Sequence, residues 1–267
     1  MLNDRPSPSE CFVIATFGQS NHANNVLDYQ SRTYPANLYQ YDWRNGEVSA
    51  YQEPLKGTNS SKGNTITDLS VEVAVHSNQP VLVVPFAVGG SSILSWAYDY
   101  LSHYHEFVLA RMQKDGVRNP LFLWHQGETD AANPSHAPST FAQLPLNQLV
   151  LRKDFVLGLS QEAYGSALSK IVEKTRRYFP DCWFGIALVS VSGDKPVQDK
   201  NIHKAQYEVA ISHPKNFVSA DSDRIPLASP FRSDRTHFAA EGARMLCEQY
   251  SDSLRKIGIF LPSKPAS

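Results

Sequence analysis

Cys11-Phe12-Val13-Ile14-Ala15-Thr16-Phe17 is an apolar run of β-forming residues that stops at the polar tetrapeptide Gly18-Gln19-Ser20-Asn21. Apolarity that is continuous rather than alternating marks a strand covered on both faces. Three more runs repeat the pattern: Val81-Leu82-Val83-Val84-Pro85-Phe86, Leu121-Phe122-Leu123-Trp124, and residues 183–189. Helical stripes lie among them. Leu101, Tyr104, Val108, Leu109 and Met112 share one face ahead of Gly116, and Leu168, Ile171, Val172, Thr175 and Tyr178 share another ahead of Pro180. Ala243, Leu246, Cys247, Tyr250 and Leu254 form a third stripe near the C-terminus. Strands alternating with amphipathic helices predict an α/β fold, a mainly parallel sheet between two helix layers in a three-layer α/β/α sandwich.

The chain has 267 residues, enough for a substantial core, and reads as one domain over 1–267 with insertions at about 28–70 and 131–164. The first insertion is rich in Tyr, Asn, Gly and Ser and fits a decorated loop with a short hairpin around Asn45-Gly46; the second opens with Pro-rich polar sequence and fits a cover or lid. A net charge of −1 from 25 basic and 26 acidic residues leaves no footprint for nucleic acid or an anionic membrane. Three sparse cysteines, Cys11, Cys182 and Cys247, make no disulfide framework. The start lacks a cationic segment followed by an apolar one, and no run is long enough to span a bilayer, so a cytoplasmic location is expected. Oligomeric state is left open.

In a parallel sheet, ligands bind at the carboxyl ends of the strands. The polar clusters fall there: Gly18-Gln19-Ser20-Asn21, Val88-Gly89-Gly90-Ser91-Ser92 and His125-Gln126-Gly127-Glu128-Thr129-Asp130. A serine held at a strand end becomes a nucleophile if a base takes its proton and a third group orients that base. Asp234-Arg235-Thr236-His237 offers both, since a carboxylate three residues before an imidazole reaches its Nδ1–H within one turn of chain. Oxyanion donors are available in the backbone N–H groups of Ser20 and of Gly90 or Gly89, and in the side-chain amide of Gln126.

These blocks, in this order, resemble those of SGNH hydrolases, most of all the branch of sialate O-acetylesterases and the acetylxylan esterases of carbohydrate esterase family 6. The resemblance runs from residue 11 to about 250 and rests on Gly18-Gln19-Ser20-Asn21, Val88-Gly89-Gly90-Ser91, Trp124 to Asp130, and Asp234-Arg235-Thr236-His237. It implies a flavodoxin-like fold without cofactor, Ser20 as nucleophile, His237 as base, Asp234 as its orienting acid, and Ser20, Gly90 and Gln126 as the oxyanion hole. Some members support the histidine with a glutamate, which makes Glu128 an alternative or auxiliary acid. The implied function is a carbohydrate O-acetylesterase working through an acyl-enzyme on a small-molecule or oligosaccharide acetyl ester. Its rivals are an esterase or thioesterase of the same superfamily for longer acyl chains, and a non-catalytic carbohydrate-binding module.

Simpler roles fit the remaining polar residues. Asp130 holds its loop, His125 packs on the face opposite Gln126, and His22 lines the site or sits near a helix start. His103 and His105 cannot share a metal from one helix, being two residues apart, and no other His/Cys spacing resembles a zinc site. Trp96, Tyr98, Tyr100 and Tyr104 are expected mostly in the core, with Trp96 or Tyr98 as candidates for a sugar-binding surface.

Overall fold

The computed structural model describes residues 5–27, 32–131, 158–193 and 195–259. Seven strands form one sheet in the order β3-β2-β4-β1-β5-β6-β7. They are β1 (Phe12–Gly18), β2 (Leu38–Asp42), β3 (Glu47–Ala50), β4 (Val81–Ala87), β5 (Leu121–His125), β6 (Trp183–Leu188) and β7 (Asn216–Asp221). Every pairing is parallel except the β2–β3 hairpin. Among the described residues six α-helices accompany them: α1 (Thr67–His76), α2 (Ile93–Tyr98), α3 (Tyr100–Lys114), α4 (Gln161–Tyr178), α5 (Lys200–Ile211) and α6 (Ala240–Lys256).

The unbroken apolarity of the central strands has a direct cause. Val13, Ala15 and Phe17 of β1 face one core with α2, α3, α4 and α5, while Ile14 faces a second core with α1 and α6. Strands β4 and β5 divide their residues in the same way, so both faces of each are dry. This is the three-layer sandwich expected. Helices α2, α4 and α5 start at side-chain caps: Ser92 accepts from Leu94 N–H, Ser160 from Ala163 N–H, and Asp199 from the N–H groups of Asn201 and Ile202.

The hairpin at Asn45-Gly46 is present, with Gly46 at φ +79° and its N–H on Asp42 O at 2.8 Å. It is no ornament, because β2 joins the main sheet through Leu38–Val81, Tyr39–Leu82 and Gln40–Val83, and α1 begins within the same stretch. Residues 132–157 of the expected second insertion lie outside the described residues; its last residues, from Gln161, open α4. On α3 the buried stripe carries His105 where Tyr104 was expected, and Tyr104 faces outward. All three cysteines are free and buried. Among the described residues no helix is long and apolar enough to cross a membrane, and no group of three or more His, Cys, Asp or Glu is placed to hold a metal.

Candidate active site

Register brings the first three blocks together. Gly18 pairs with both Ala87 and His125, so the residues that follow β1, β4 and β5 leave the sheet side by side. Gly18 has φ +143°, and a Cβ there would sit 2.0 Å from His125 O; only glycine permits this approach. Beyond it the chain enters a 3-10 turn, Ser20–His22. Ser20 occupies the first position of that turn, where a backbone N–H has no intrahelical acceptor. It is 7% exposed, and its carbonyl is held by Asn25 Nδ2 at 2.8 Å.

His237 stands on a tight loop before α6. Asp234 Oδ2 is 2.7 Å from His237 Nδ1, while Asp234 Oδ1 accepts from the N–H groups of His237 at 2.7 Å and Thr236 at 3.0 Å. Arg235 between them takes φ +65°, which folds the loop back and places a side chain in a region glycine prefers. Burial alone would raise the Asp234 carboxyl, but the hydrogen bonds from His237 and the two N–H groups outweigh it and hold the carboxyl below its usual value.

Asn21 joins the two halves. Its Nδ2 donates to Glu128 Oε1 at 2.7 Å and to Thr236 O at 3.3 Å, and its Oδ1 accepts from Phe238 N–H at 3.2 Å. One buried amide therefore spans the serine turn, the Glu128 block and the histidine loop. Glu128 makes no hydrogen bond to His237 among the described residues. Burial raises its pKa, opposed by the Asn21 hydrogen bond and by the charge of buried Arg232, whose Nη1 donates to Thr236 O at 2.5 Å.

The two glycines separate by their partners. Gly89 N–H donates to Asn59 Oδ1 at 3.0 Å, whereas Gly90, at φ +69°, directs its N–H to no described residue. Gln126 departs from its expected place at the cavity wall. It is fully buried, and its Nε2 donates to Asp130 Oδ2 at 2.6 Å, Ser91 O at 3.1 Å and Gln19 Oε1 at 3.2 Å, which uses both amide hydrogens. The residue that does line the cavity is Gln19. Its Oε1 is fixed by Gln126 and by the N–H groups of Gly127 at 3.4 Å and Thr129 at 3.3 Å, which leaves Nε2 turned outward. Sequence reasoning passed over Gln19, although its position next to the serine was the available signal. Asp130 holds its loop as expected and adds a cap to α2 through Ile93 N–H at 2.7 Å and Ser92 Oγ at 2.5 Å.

Ser20, His237, Gln19, Gly90 and Glu128 share a cavity of about 550 Å³, with Lys195, Ser192 and Asn59 also in its wall. No direct hydrogen bond joins Ser20 to His237 among the described residues, a common state before substrate tightens a site. A larger groove of about 1290 Å³, lined by α4 and α5, mixes Lys170, Lys174 and Arg177 with Glu162, Glu173 and Glu208 and holds no serine–histidine pair, so size does not select the site. Tyr98 lines that groove and Trp96 is core, so neither sugar-surface candidate reaches the serine cavity. His22, the last residue of the serine turn, and His125 have ring centroids 5.0 Å apart, and burial keeps both neutral. His125 packs as expected, but neither of its ring nitrogens bonds to a described residue.

A family model described as carbohydrate esterase, sialic acid-specific acetylesterase, matches residues 8–256. The chain belongs to that family. It is therefore an esterase of the acetylesterase class. A search of the curated proteins finds no match. Among solved structures, a protein from Arabidopsis thaliana is similar at a TM-score of 0.65 and 16% identity, over 92% of this chain and 98% of that one. NanS follows at 0.58 and 12%, over 95% and 99%. Axe2, an acetylxylan esterase from Geobacillus stearothermophilus, gives 0.54 and 12%, over 97% and 100%. At these identities the likeness concerns the fold.

Proposed function

We propose that this esterase removes acetyl groups from the hydroxyls of a carbohydrate, with Ser20 as nucleophile, His237 as general base and Asp234 as the acid that orients it. The observation that carries the reading is the 2.7 Å Asp234–His237 hydrogen bond at the wall of the cavity that also contains Ser20. With Nδ1–H engaged by Asp234, the tautomer that leaves Nε2 free to accept a proton is favoured.

His237 Nε2 takes the Ser20 Oγ proton as Oγ bonds to the acetyl carbonyl carbon. The carbonyl oxygen becomes an oxyanion, met by the N–H groups of Ser20 and Gly90 and by the Gln19 amide, with Gln126 fixing Gln19 from behind. Collapse breaks the bond to the sugar oxygen, which receives the proton from His237. Water then gives its proton to His237 and attacks the acetyl-enzyme; acetate leaves and the proton returns to Ser20. Losing one oxyanion donor costs roughly 10²- to 10³-fold in kcat.

The test is turnover of 4-nitrophenyl acetate and release of acetate from acetylated xylo-oligosaccharides and O-acetylated sialic acids. Ser20→Ala and His237→Ala are each expected to lower kcat by about 10⁴-fold or more. Rates that survive both substitutions would overturn the assignment of Ser20 and His237, whereas a wild type that turns over none of these esters would leave a module that keeps the fold without this chemistry.

A further inference from the structure

Beside the serine cavity lies a second, smaller cleft of about 230 Å³ whose wall carries four aromatic rings, Trp43, Phe86, Tyr100 and Tyr104, with Arg44 and Asn59 among its polar lining residues. Asn59 lines both cavities, and its Oδ1 accepts the N–H of Gly89, the neighbour of the proposed oxyanion donor Gly90. Asn59 is thus a wall common to both spaces. We propose that this cleft is a sugar subsite, which holds the pyranose ring adjoining the one whose acetyl group Ser20 attacks. The inference rests on the esterase reading above and names where the rest of its substrate lies.

The cleft pairs aromatic rings with polar groups at its rim, a combination that fits a sugar. Trp43 is fixed, its Nε1–H on Gly57 O at 3.1 Å and its ring edge-on to Phe86 at 5.1 Å and to Tyr104 at 6.4 Å. Tyr100 and Tyr104 are 52% and 51% exposed on the outer face of α3, an unusual placement for two rings that no described hydrogen bond ties down. Aromatic faces with polar tips suit the C–H face of a pyranose and its hydroxyl edge together. The polar groups point the same way: the exposed Asn59 keeps its amide N–H groups for a ligand once Oδ1 is taken, and the Arg44 guanidinium stands in water paired with Asp42.

The test compares wild type, Tyr104→Ala and Tyr104→Phe on 4-nitrophenyl acetate, 4-nitrophenyl octanoate, acetylated monosaccharides, and acetylated xylo- and sialyl-oligosaccharides. Alanine is a better helix former than tyrosine, and the position is half exposed, so the variants are expected to fold. The proposal expects Tyr104→Ala to lower the ratio of kcat/KM for an oligosaccharide ester to that for its acetylated monosaccharide by about tenfold, in at least one series, and Tyr104→Phe to restore it. Equal losses on both members of each pair overturn it, and so does a loss confined to the octanoate ester, which would make the cleft an acyl pocket. If wild type hydrolyses none of these esters, the esterase reading has failed instead. Calorimetric titration of Ser20→Ala with the unesterified oligosaccharides then decides the subsite: binding weakened by adding Tyr104→Ala supports it, and no binding at millimolar sugar overturns it.

Discussion

Two carboxylates adjoin the serine cavity, and their surroundings give them different work. Asp234 is half exposed, held below its usual pKa and bonded to the imidazole; Glu128 is buried, raised, and bonded to the Asn21 amide. Asp234→Asn is expected to lower kcat about 10³- to 10⁴-fold with little change in Tm, since it leaves an amide where the imidazole needs an acceptor. Glu128→Gln keeps an oxygen for Asn21 and should cost far less; the reverse ranking in steady-state kinetics would exchange their roles. Gln19→Glu keeps the oxygen that Gly127 and Thr129 bind but removes the outward N–H and sets a negative charge beside the oxyanion. A fall of roughly 10²- to 10³-fold in kcat is expected, and an unaffected kcat would return the donor role to Gln126. That Asp234 would bond His237 was legible in their spacing, and that Ser20 would share their rim in its place at a strand end. Gln126 was read as the donor and Gln19 was passed over, because which of two amides faces the cavity depends on the strand register at Gly18.

At the level of elements, helix α3 shows what a pattern hides. Its stripe places His105 against Phe17 at 5.3 Å and Trp96 at 6.2 Å, and burial, with Lys174 nearby, pushes its pKa down to about 3. The unfolded chain takes up a proton below about pH 6.5 and the folded one does not, so this residue's contribution is intact above that pH and is lost as pH falls toward 3. His105→Gln is expected to flatten urea stability against pH between 6.5 and 4.5 by up to ~1.4 kcal/mol per pH unit. Parallel curves for variant and wild type would show that the histidine is charged inside the fold. Strands β1, β4, β5 and β6 announced themselves by apolarity on both faces. Strand β2 did not, because Gln40 at its centre is polar yet buried and satisfied by Ala50 O and Lys56 N–H. Strand β7 was masked similarly by its buried Asn216 and Ser219.

At the scale of the molecule, a parallel sheet collects the ends of β1, β4 and β5, and the loop before α6 brings the histidine to the same rim. Four short blocks were enough to read this from the chain, since each is chemically legible and their order matches the sheet's convergence. The aromatic cleft was not legible, since it joins a hairpin turn at Trp43 to the outer face of α3, and neither shows a period or motif. The central claim is that Ser20 accepts the acetyl group, and mass spectrometry of the protein quenched during turnover of 4-nitrophenyl acetate tests it most directly. The expected result is a gain of one acetyl group in the peptide that contains Ser20, absent from Ser20→Ala. Full turnover in Ser20→Ala, or acetyl found only on another residue, would contradict it.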